Sequence, residues 1–167
     1  FRCATQTIVT PVTTPLNSGV SIACATLPAD AATSCCELVC STGVCFDVPS
    51  PTHFELSGFR LRGGGSAATD GAAVTITGYS QTQSVVLTSL HFSAHVARAL
   101  VLRSVTVTLS SSTFTDCKAT VGNSGGALLI ETSSTLIATS CTFINNSVAG
   151  AAASGGAIAV RSSSTLI

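Results

Sequence analysis

The chain has 167 residues, of which 46% are hydrophobic and only 8% are charged, and its seven Lys and Arg balance its seven Asp and Glu. This balance excludes the basic surface that nucleic-acid binding requires, so we expect no nucleic-acid partner. The mean hydropathy is +0.57, but no apolar run approaches the roughly 20 residues of a membrane-spanning helix. The longest candidate, residues 96–107, is interrupted by Arg98 and Arg103. Short apolar bursts of this kind indicate buried strands and no membrane span in this segment.

The first 53 residues hold six of the eight cysteines and lack clear repeats. Their spacing lacks the Cys-x2-Cys pairs of zinc sites, and the nearest histidine is His53. Disulfides are therefore expected, with at least four of the six bonded, which indicates an oxidising, secretory compartment. The disulfide candidates are Cys3, Cys24, Cys35, Cys36, Cys40 and Cys45.

Residues 1–53 are accordingly interpreted as a cysteine-rich N-terminal cap. The end of a β-helix exposes strand edges and an open core, so it needs such a cover. A separate small domain is the alternative interpretation of the same residues.

Residues 54–167 contain an internal repeat. Gly125–Leu128 recurs as Gly155–Ile158 thirty residues later, and Ser134–Ile137 recurs as Ser164–Ile167 at the same interval. Weaker copies upstream give a period of about 22 to 33 residues that holds three short, Thr- and Val-rich strands. This pattern predicts an all-β fold, a right-handed parallel β-helix with three short strands per turn, spanning residues 54–167 and incomplete at its C-terminal end.

Aligning the repeats predicts columns of equivalent residues on successive turns. One strand places its apolar residues inward at Val74, Leu100, Leu128 and Ile158. An inward aromatic column is predicted from Phe59, Phe92, Phe114 and Phe143. An outward charge ladder is predicted from Arg103, Glu131 and Arg161.

Two motifs carry a family resemblance. Gly125–Leu128 and Gly155–Ile158 resemble the GGA[ILV] repeats of polymorphic outer-membrane proteins, and Phe143–Asn146 resembles their FxxN motif. The resemblance covers residues 110–167, and 54–109 in degenerate form, where the Asn position is taken by Cys117, His95 and Arg62. It implies a β-helix displayed at a cell surface, often adhesive, and it carries over no ligand.

Enzymatic chemistry is not expected, and neither is a cofactor or a metal site. Right-handed β-helices include pectin-degrading enzymes, whose chemistry needs clustered carboxylates. The acidic residues here are never closer than seven positions apart in sequence: Asp30, Glu37, Asp47, Glu55, Asp70, Asp116 and Glu131.

Other chemistry-bearing residues are interpreted structurally. His91 and His95 lack the Glu of a zinc-protease helix and are expected to be surface imidazoles. Cys117 and Cys141 fall in different columns and are not expected to pair with each other. Thr75–Thr77 and Thr106–Thr108 are similar to the arrays of ice-binding solenoids but fall on different strands, so ice binding is not favoured.

The expected function is a non-catalytic extracellular structural or adhesive scaffold within a larger cell-surface or filament glycoprotein. Asn145 begins an Asn-x-Ser sequence and is the glycosylation candidate. Expected partners are other subunits or further repeats of the same chain at the C-terminal end, and cell-surface glycans or proteins. A carbohydrate-binding module and an inactive relative of polysaccharide lyases or hydrolases are the alternatives.

Overall fold

The computed structural model describes residues 4–8, 12–13, 19–24, 36–41, 44–63, 72–79, 83–119, 125–149 and 155–167. Within these ranges the regular structure is entirely β, in twenty short strands. In chain order they are β1 (Ala4–Ile8), β2 (Val12–Thr13), β3 (Gly19–Ala23), β4 (Cys36–Cys40), β5 (Phe46–Pro49), β6 (His53–Ser57), β7 (Phe59–Arg62), β8 (Ala72–Thr77), β9 (Ser84–Thr88), β10 (His91–Ser93), β11 (Arg98–Arg103), β12 (Thr106–Ser110), β13 (Thr113–Thr115), β14 (Lys118–Ala119), β15 (Leu128–Glu131), β16 (Thr135–Thr139), β17 (Thr142–Ile144), β18 (Ser147–Val148), β19 (Ile158–Val160) and β20 (Thr165–Leu166).

The strands form three six-stranded sheets whose described neighbours are all parallel. Sheet A has the order β1-β4-β7-β10-β13-β17, sheet B β2-β5-β8-β11-β15-β19 and sheet C β3-β6-β9-β12-β16-β20. The chain thus visits sheets A, B and C in the same order six times, and we call each passage a turn. A two-stranded sheet, β14-β18, follows sheet A in the last two turns. This confirms the predicted all-β fold of stacked parallel strands and is consistent with a parallel β-helix.

Strands pair across the boundary that the sequence places at residue 53. In sheet A, β4 pairs with β7, and in sheet B, β5 pairs with β8. The described part of residues 1–53 therefore contributes strands to the same three sheets as the repeats.

Two disulfides close loops in these first turns. Cys24–Cys36 joins the end of β3 to β4 with a Cα–Cα distance of 5.9 Å, and Cys40–Cys45 joins β4 to the start of β5 at 5.1 Å. Both bonds pack into the main core. Four of the six expected cysteines are thus bonded, and Cys3 and Cys35 lie outside the described residues.

The core is built from the predicted inward columns, with one correction. Leu100 pairs with Val74 and Leu128, as the repeat alignment predicts. Three phenylalanines stack as predicted, with ring centroids 4.7 Å apart at both steps: Phe92, Phe114 and Phe143.

Placing Phe59 in this column is wrong. Leu61 pairs with Phe92 instead, while Phe59 pairs with Cys36 and meets the ring of Phe46 at 6.3 Å. Phe59 and Leu61 both point inward, so a shift of two residues leaves the inward face unchanged and the sequence pattern does not detect it.

The charge ladder begins with Arg103, which pairs in register with Glu131 on the next turn. The Nε of Arg103 lies 2.8 Å from Oε1 of Glu131, with side chains 30% and 19% exposed. Arg161 follows β19, and its backbone N–H donates to the carbonyl of Ile130, next to Glu131 in sequence. The partly exposed Arg103–Glu131 pair contributes roughly 0.2 to 1 kcal/mol to stability.

The first copy of the Gly-Gly-Ala motif has a steric cause at both of its glycines. Gly125 has a φ of 65°, which side-chain-bearing residues rarely adopt. A Cβ at Gly126 would overlap the backbone carbonyls of Ser147 and Gly156. The equivalent Gly156 is open, because its nearest such neighbour is the carbonyl oxygen of Asn146 at 3.9 Å.

We therefore predict that Gly126→Ala lowers the free energy of unfolding by roughly 1 to 3 kcal/mol, the usual range for overpacking. Gly156→Ala is the matched control, with an expected change within about 0.5 kcal/mol. Denaturant unfolding of both variants measures the difference. Equal losses would mean that the close approach at Gly126 is not the reason for the motif.

Candidate functional surface

From β9 to β20, the outward side of sheet C repeats hydroxyl-bearing and β-branched side chains. Val85, Leu87, Val107, Leu109 and Leu136 point inward and are buried, so the residues between them point outward. The outward residues stack in three columns: Thr106, Thr135 and Thr165; Val86, Thr108 and Ile137; Thr88, Ser110 and Thr139. We call these nine residues the hydroxyl face.

The nine residues of the hydroxyl face carry no charge, and Glu55 of β6 lies beside Val86 at the edge of the face. The spacing of the face is fixed. Neighbouring turns are about 4.8 Å apart and alternate residues along a strand about 6.6 Å apart. The hydroxyl of Ser110 donates to Oγ1 of Thr88 over 3.2 Å, while Thr108, Ile137 and Thr139 are exposed. The face therefore offers rows of hydroxyl and methyl groups that the backbone holds at regular intervals.

The sequence did not lead to this face, because Thr75–Thr77 was compared with Thr106–Thr108 and these segments lie on different strands. Thr75–Thr77 lies in sheet B and Thr106–Thr108 in sheet C, on different strands as predicted. The neighbours of Thr106 are instead Thr135 and, one turn further, Thr165. The recurrence of Ser-Thr-Leu-Ile at residues 134 and 164 was the available signal.

Inward hydroxyls at the corners satisfy buried backbone groups. The hydroxyl of Ser134 accepts from the N–H of Val105 at 3.3 Å and donates to the carbonyl of Glu131 at 2.7 Å. The hydroxyl of Ser112 accepts from the N–H of Leu90 at 3.1 Å. Buried backbone groups need such partners, so these serines are structural.

Asn146, the asparagine of the FxxN motif, also satisfies backbone groups, at the corner that follows sheet A. Oδ1 of Asn146 accepts from the N–H of Cys117 at 3.0 Å, and its Nδ2 donates to the carbonyl of Phe114 at 2.9 Å. Cys117 occupies this corner one turn earlier, and burial raises the pKa of its thiol to about 12. A thiol held protonated in this way is a poor nucleophile and metal ligand. Cys117 and Cys141 are both free, so they do not pair with each other, as predicted.

Two expectations about this corner are wrong. His95 is not a surface imidazole: it is 1% exposed, and its Nε2 lies 3.0 Å from the carbonyl oxygen of Leu61. Arg62 pairs with Ser93, so it does not occupy the Asn position. The cause is the corner itself, where Ala94 adopts a φ of 53° and the chain turns, so that strand alternation no longer predicts which way the next residue points.

Burial lowers the pKa of His95 from 6.5 to about 4, against the opposing effect of the Leu61 and Gly63 carbonyls. By contrast, His91 is on the outward side of sheet A, where partial burial and Arg60 lower its pKa. The sequence places His91 correctly at the surface.

The pKa of His95 predicts a pH dependence of stability. Between pH 6.5 and about 4 the unfolded chain binds a proton that the folded chain does not, so stability falls as the pH drops through this window. The full loss is roughly 3 kcal/mol.

Replacing His95 with Asn, the residue at this corner two turns later, should remove most of the dependence, whereas His91→Asn should retain most of it. Urea titrations at several pH values measure both. An unchanged slope in the His95 variant would contradict the assignment.

Among the described residues, no group of three or more His, Cys, Asp or Glu side chains could hold a metal ion. The same part of the chain contains no helix long and apolar enough to cross a membrane. The glycosylation candidate Asn145 is exposed at the corner after β17, with a φ of 52°.

Comparison with protein-family models, with curated proteins and with solved structures finds no significant match for this chain.

Proposed function

We propose that this chain is a non-catalytic extracellular scaffold, a right-handed parallel β-helix that presents a structural or adhesive surface within a larger cell-surface or filament glycoprotein. The hydroxyl face is the observation that carries the proposal. The two disulfides support an oxidising, extracellular setting. The resemblance of the Gly-Gly-Ala and FxxN motifs to surface-displayed repeats agrees with it.

A neutral face suits contact with an extended partner. Burying a charged side chain against another surface costs free energy unless the charge is paired, whereas hydroxyls exchange hydrogen bonds with water for hydrogen bonds with a partner. The methyl groups of Thr108 and Ile137 lie between two hydroxyl columns, so the face can make apolar and polar contacts together. Its rigid spacing lowers the entropy that binding costs.

Adhesion of protein-coated beads to cell surfaces tests this role. We predict that Thr108→Glu, which places a charge at the centre of the hydroxyl face, weakens adhesion by about tenfold or more. Thr142→Glu is the matched control, since Thr142 is an exposed threonine on sheet A, and it should adhere like the unmodified chain.

Two results would contradict the proposal. Equal adhesion by both glutamate variants would remove the hydroxyl face from the argument. Release of unsaturated or reducing sugars from polygalacturonate by the unmodified chain would make the protein an enzyme.

A carbohydrate-binding module is the second candidate, and Tyr79 favours it. Tyr79 is 81% exposed and is the single tyrosine of the chain. An exposed ring of this kind can stack on a sugar face while its hydroxyl hydrogen-bonds. On a glycan array, discrete oligosaccharide binding that Tyr79→Ala abolishes would support this candidate over the scaffold.

The last strand of each sheet suggests where a partner adds. The outer edges of β17, β19 and β20 have no further strand in the described sheets. Apolar side chains beside them are exposed, at 44% for Ile144, 43% for Val160, 40% for Leu166 and 69% for Ile167. Open edges of this kind recruit strands. We propose that another parallel turn, from further repeats or from a second subunit, covers this edge.

We predict that residues 1–167 alone associate in a concentration-dependent manner, because the open edge and its apolar side chains pair between molecules. The double variant Leu166→Lys, Ile167→Lys should be monomeric. Val96→Lys, at a 46% exposed apolar residue away from this edge, should still associate. Light scattering after gel filtration measures mass. A monomer at all concentrations, with slow hydrogen exchange through Val160, would contradict the proposed partner.

A further inference from the structure

Two adjacent asparagines follow β17 and have different roles. The side chain of Asn146 is half-buried and bonded at both ends, to the N–H of Cys117 and the carbonyl of Phe114. The side chain of Asn145 is exposed. Within the described part of the chain, no hydrogen bond to the Asn145 side-chain amide is found.

Asn145 stands in a corner column whose shape is set by the backbone. The equivalent residues Ala94 and Asp116 have φ values of 53° and 54°, against 52° at Asn145. The N–H of Ala94 donates to the carbonyl of Thr115, and the N–H of Asp116 to that of Ile144. Ala94 has a methyl group as its side chain, so this corner forms without an outward polar group. Asn145 is therefore not required by the fold at this position.

The residues around Asn145 complete an acceptor sequence for N-linked sugar. Ser147, two residues on, supplies the hydroxyl that the Asn-x-Ser sequence requires. Ser147 is exposed, and its backbone N–H, not its hydroxyl, makes the link to the previous turn through the carbonyl of Cys117. Both elements of the sequence thus lie at the surface, while Asn146 between them holds the corner.

We propose that Asn145 carries an N-linked glycan. The inference rests on the extracellular setting of the proposed function. The donor is an oligosaccharide linked to a lipid diphosphate. A bond forms between Nδ2 of Asn145 and the anomeric carbon of the first sugar, the bond from that carbon to the diphosphate oxygen breaks, and the lipid diphosphate and one Nδ2 proton leave. The folded chain accommodates the product because Asn145 is exposed.

The position of the glycan is compatible with the hydroxyl face. Asn145 follows sheet A, next to the strand pair β14-β18, whereas the hydroxyl face is on sheet C. A glycan at this corner is attached beside Asp116, after sheet A, and not on the strands of sheet C.

Secretion of the full chain from eukaryotic cells, behind an added signal peptide, tests the proposal. Mass spectrometry of cell-associated and secreted protein should find the glycan on Asn145, and a peptide N-glycosidase should remove it and leave Asp at that position. Non-reducing peptide maps that contain the Cys24–Cys36 and Cys40–Cys45 links identify the folded chain. Folded protein with unmodified Asn145 would overturn the proposal.

The neighbouring asparagine supplies the control. Asn145→Asp and Ser147→Ala should each lose the glycan with little change in the unfolding temperature. Asn146→Ala keeps the acceptor sequence, so it should keep the glycan but unfold at a lower temperature. Retention of glycan in Asn145→Asp would place it elsewhere and overturn the assignment. Failure of the Thr108→Glu adhesion test with the glycan present would reject the scaffold function and leave the modification standing.

Discussion

The backbone hydrogen bonds between parallel strands of successive turns are the constraint on which the rest of this structure depends. They hold each residue directly beside its equivalent on the next turn, about 4.8 Å away. The residues of one column therefore have similar surroundings, and each must be able to contact its equivalents on the turns before and after it. The phenylalanine rings satisfy this at 4.7 Å with planes 4° to 9° apart. The corner serines satisfy it by bonding to the backbone of the turn before, as Ser164 does for Ser134.

How far the sequence predicts this structure follows from the same constraint. The register of sheet B was predictable because the strands that follow successive loops have similar sequences. Their alignment places Leu100, Leu128 and Ile158 in one column, as the structure does. Phe59 was misplaced because period-two alternation penalises a slip of one residue and tolerates a slip of two. His95 was misplaced because alternation applies to strands and fails at a residue that follows a positive-φ corner. The hydroxyl face could also have been predicted from the sequence, because the recurrence of residues 134–137 at 164–167 aligns the third strands; the outward residues of these aligned strands were not compared.

Stacking also explains why charge is scarce. Like charges on neighbouring turns repel at short range, so a charged residue constrains the residues on both sides of it in its column. In the described pairs, Glu37 stands beside Arg60 and Arg103 beside Glu131. Arg60 is also paired with His91, and there burial and the guanidinium lower the pKa of the imidazole, which favours its neutral form. Hydroxyl and aliphatic residues avoid the constraint and fill the outward columns of sheet C from β9 to β20.

The hydroxyl face follows from this limit on charge. A sheet that repeats Thr, Ser and β-branched residues satisfies strand propensity, column stacking and solubility with the same side chains. Because the face is neutral, a partner that approaches it loses little free energy to desolvation. The same neutrality removes the long-range electrostatic attraction that charged interfaces use. Contacts made through it gain strength chiefly from the number of turns engaged, since each turn adds the same few groups. A surface of this construction is therefore suited to extended contacts that lengthen with the number of repeats, and poorly suited to a compact site in which a few charged groups act together.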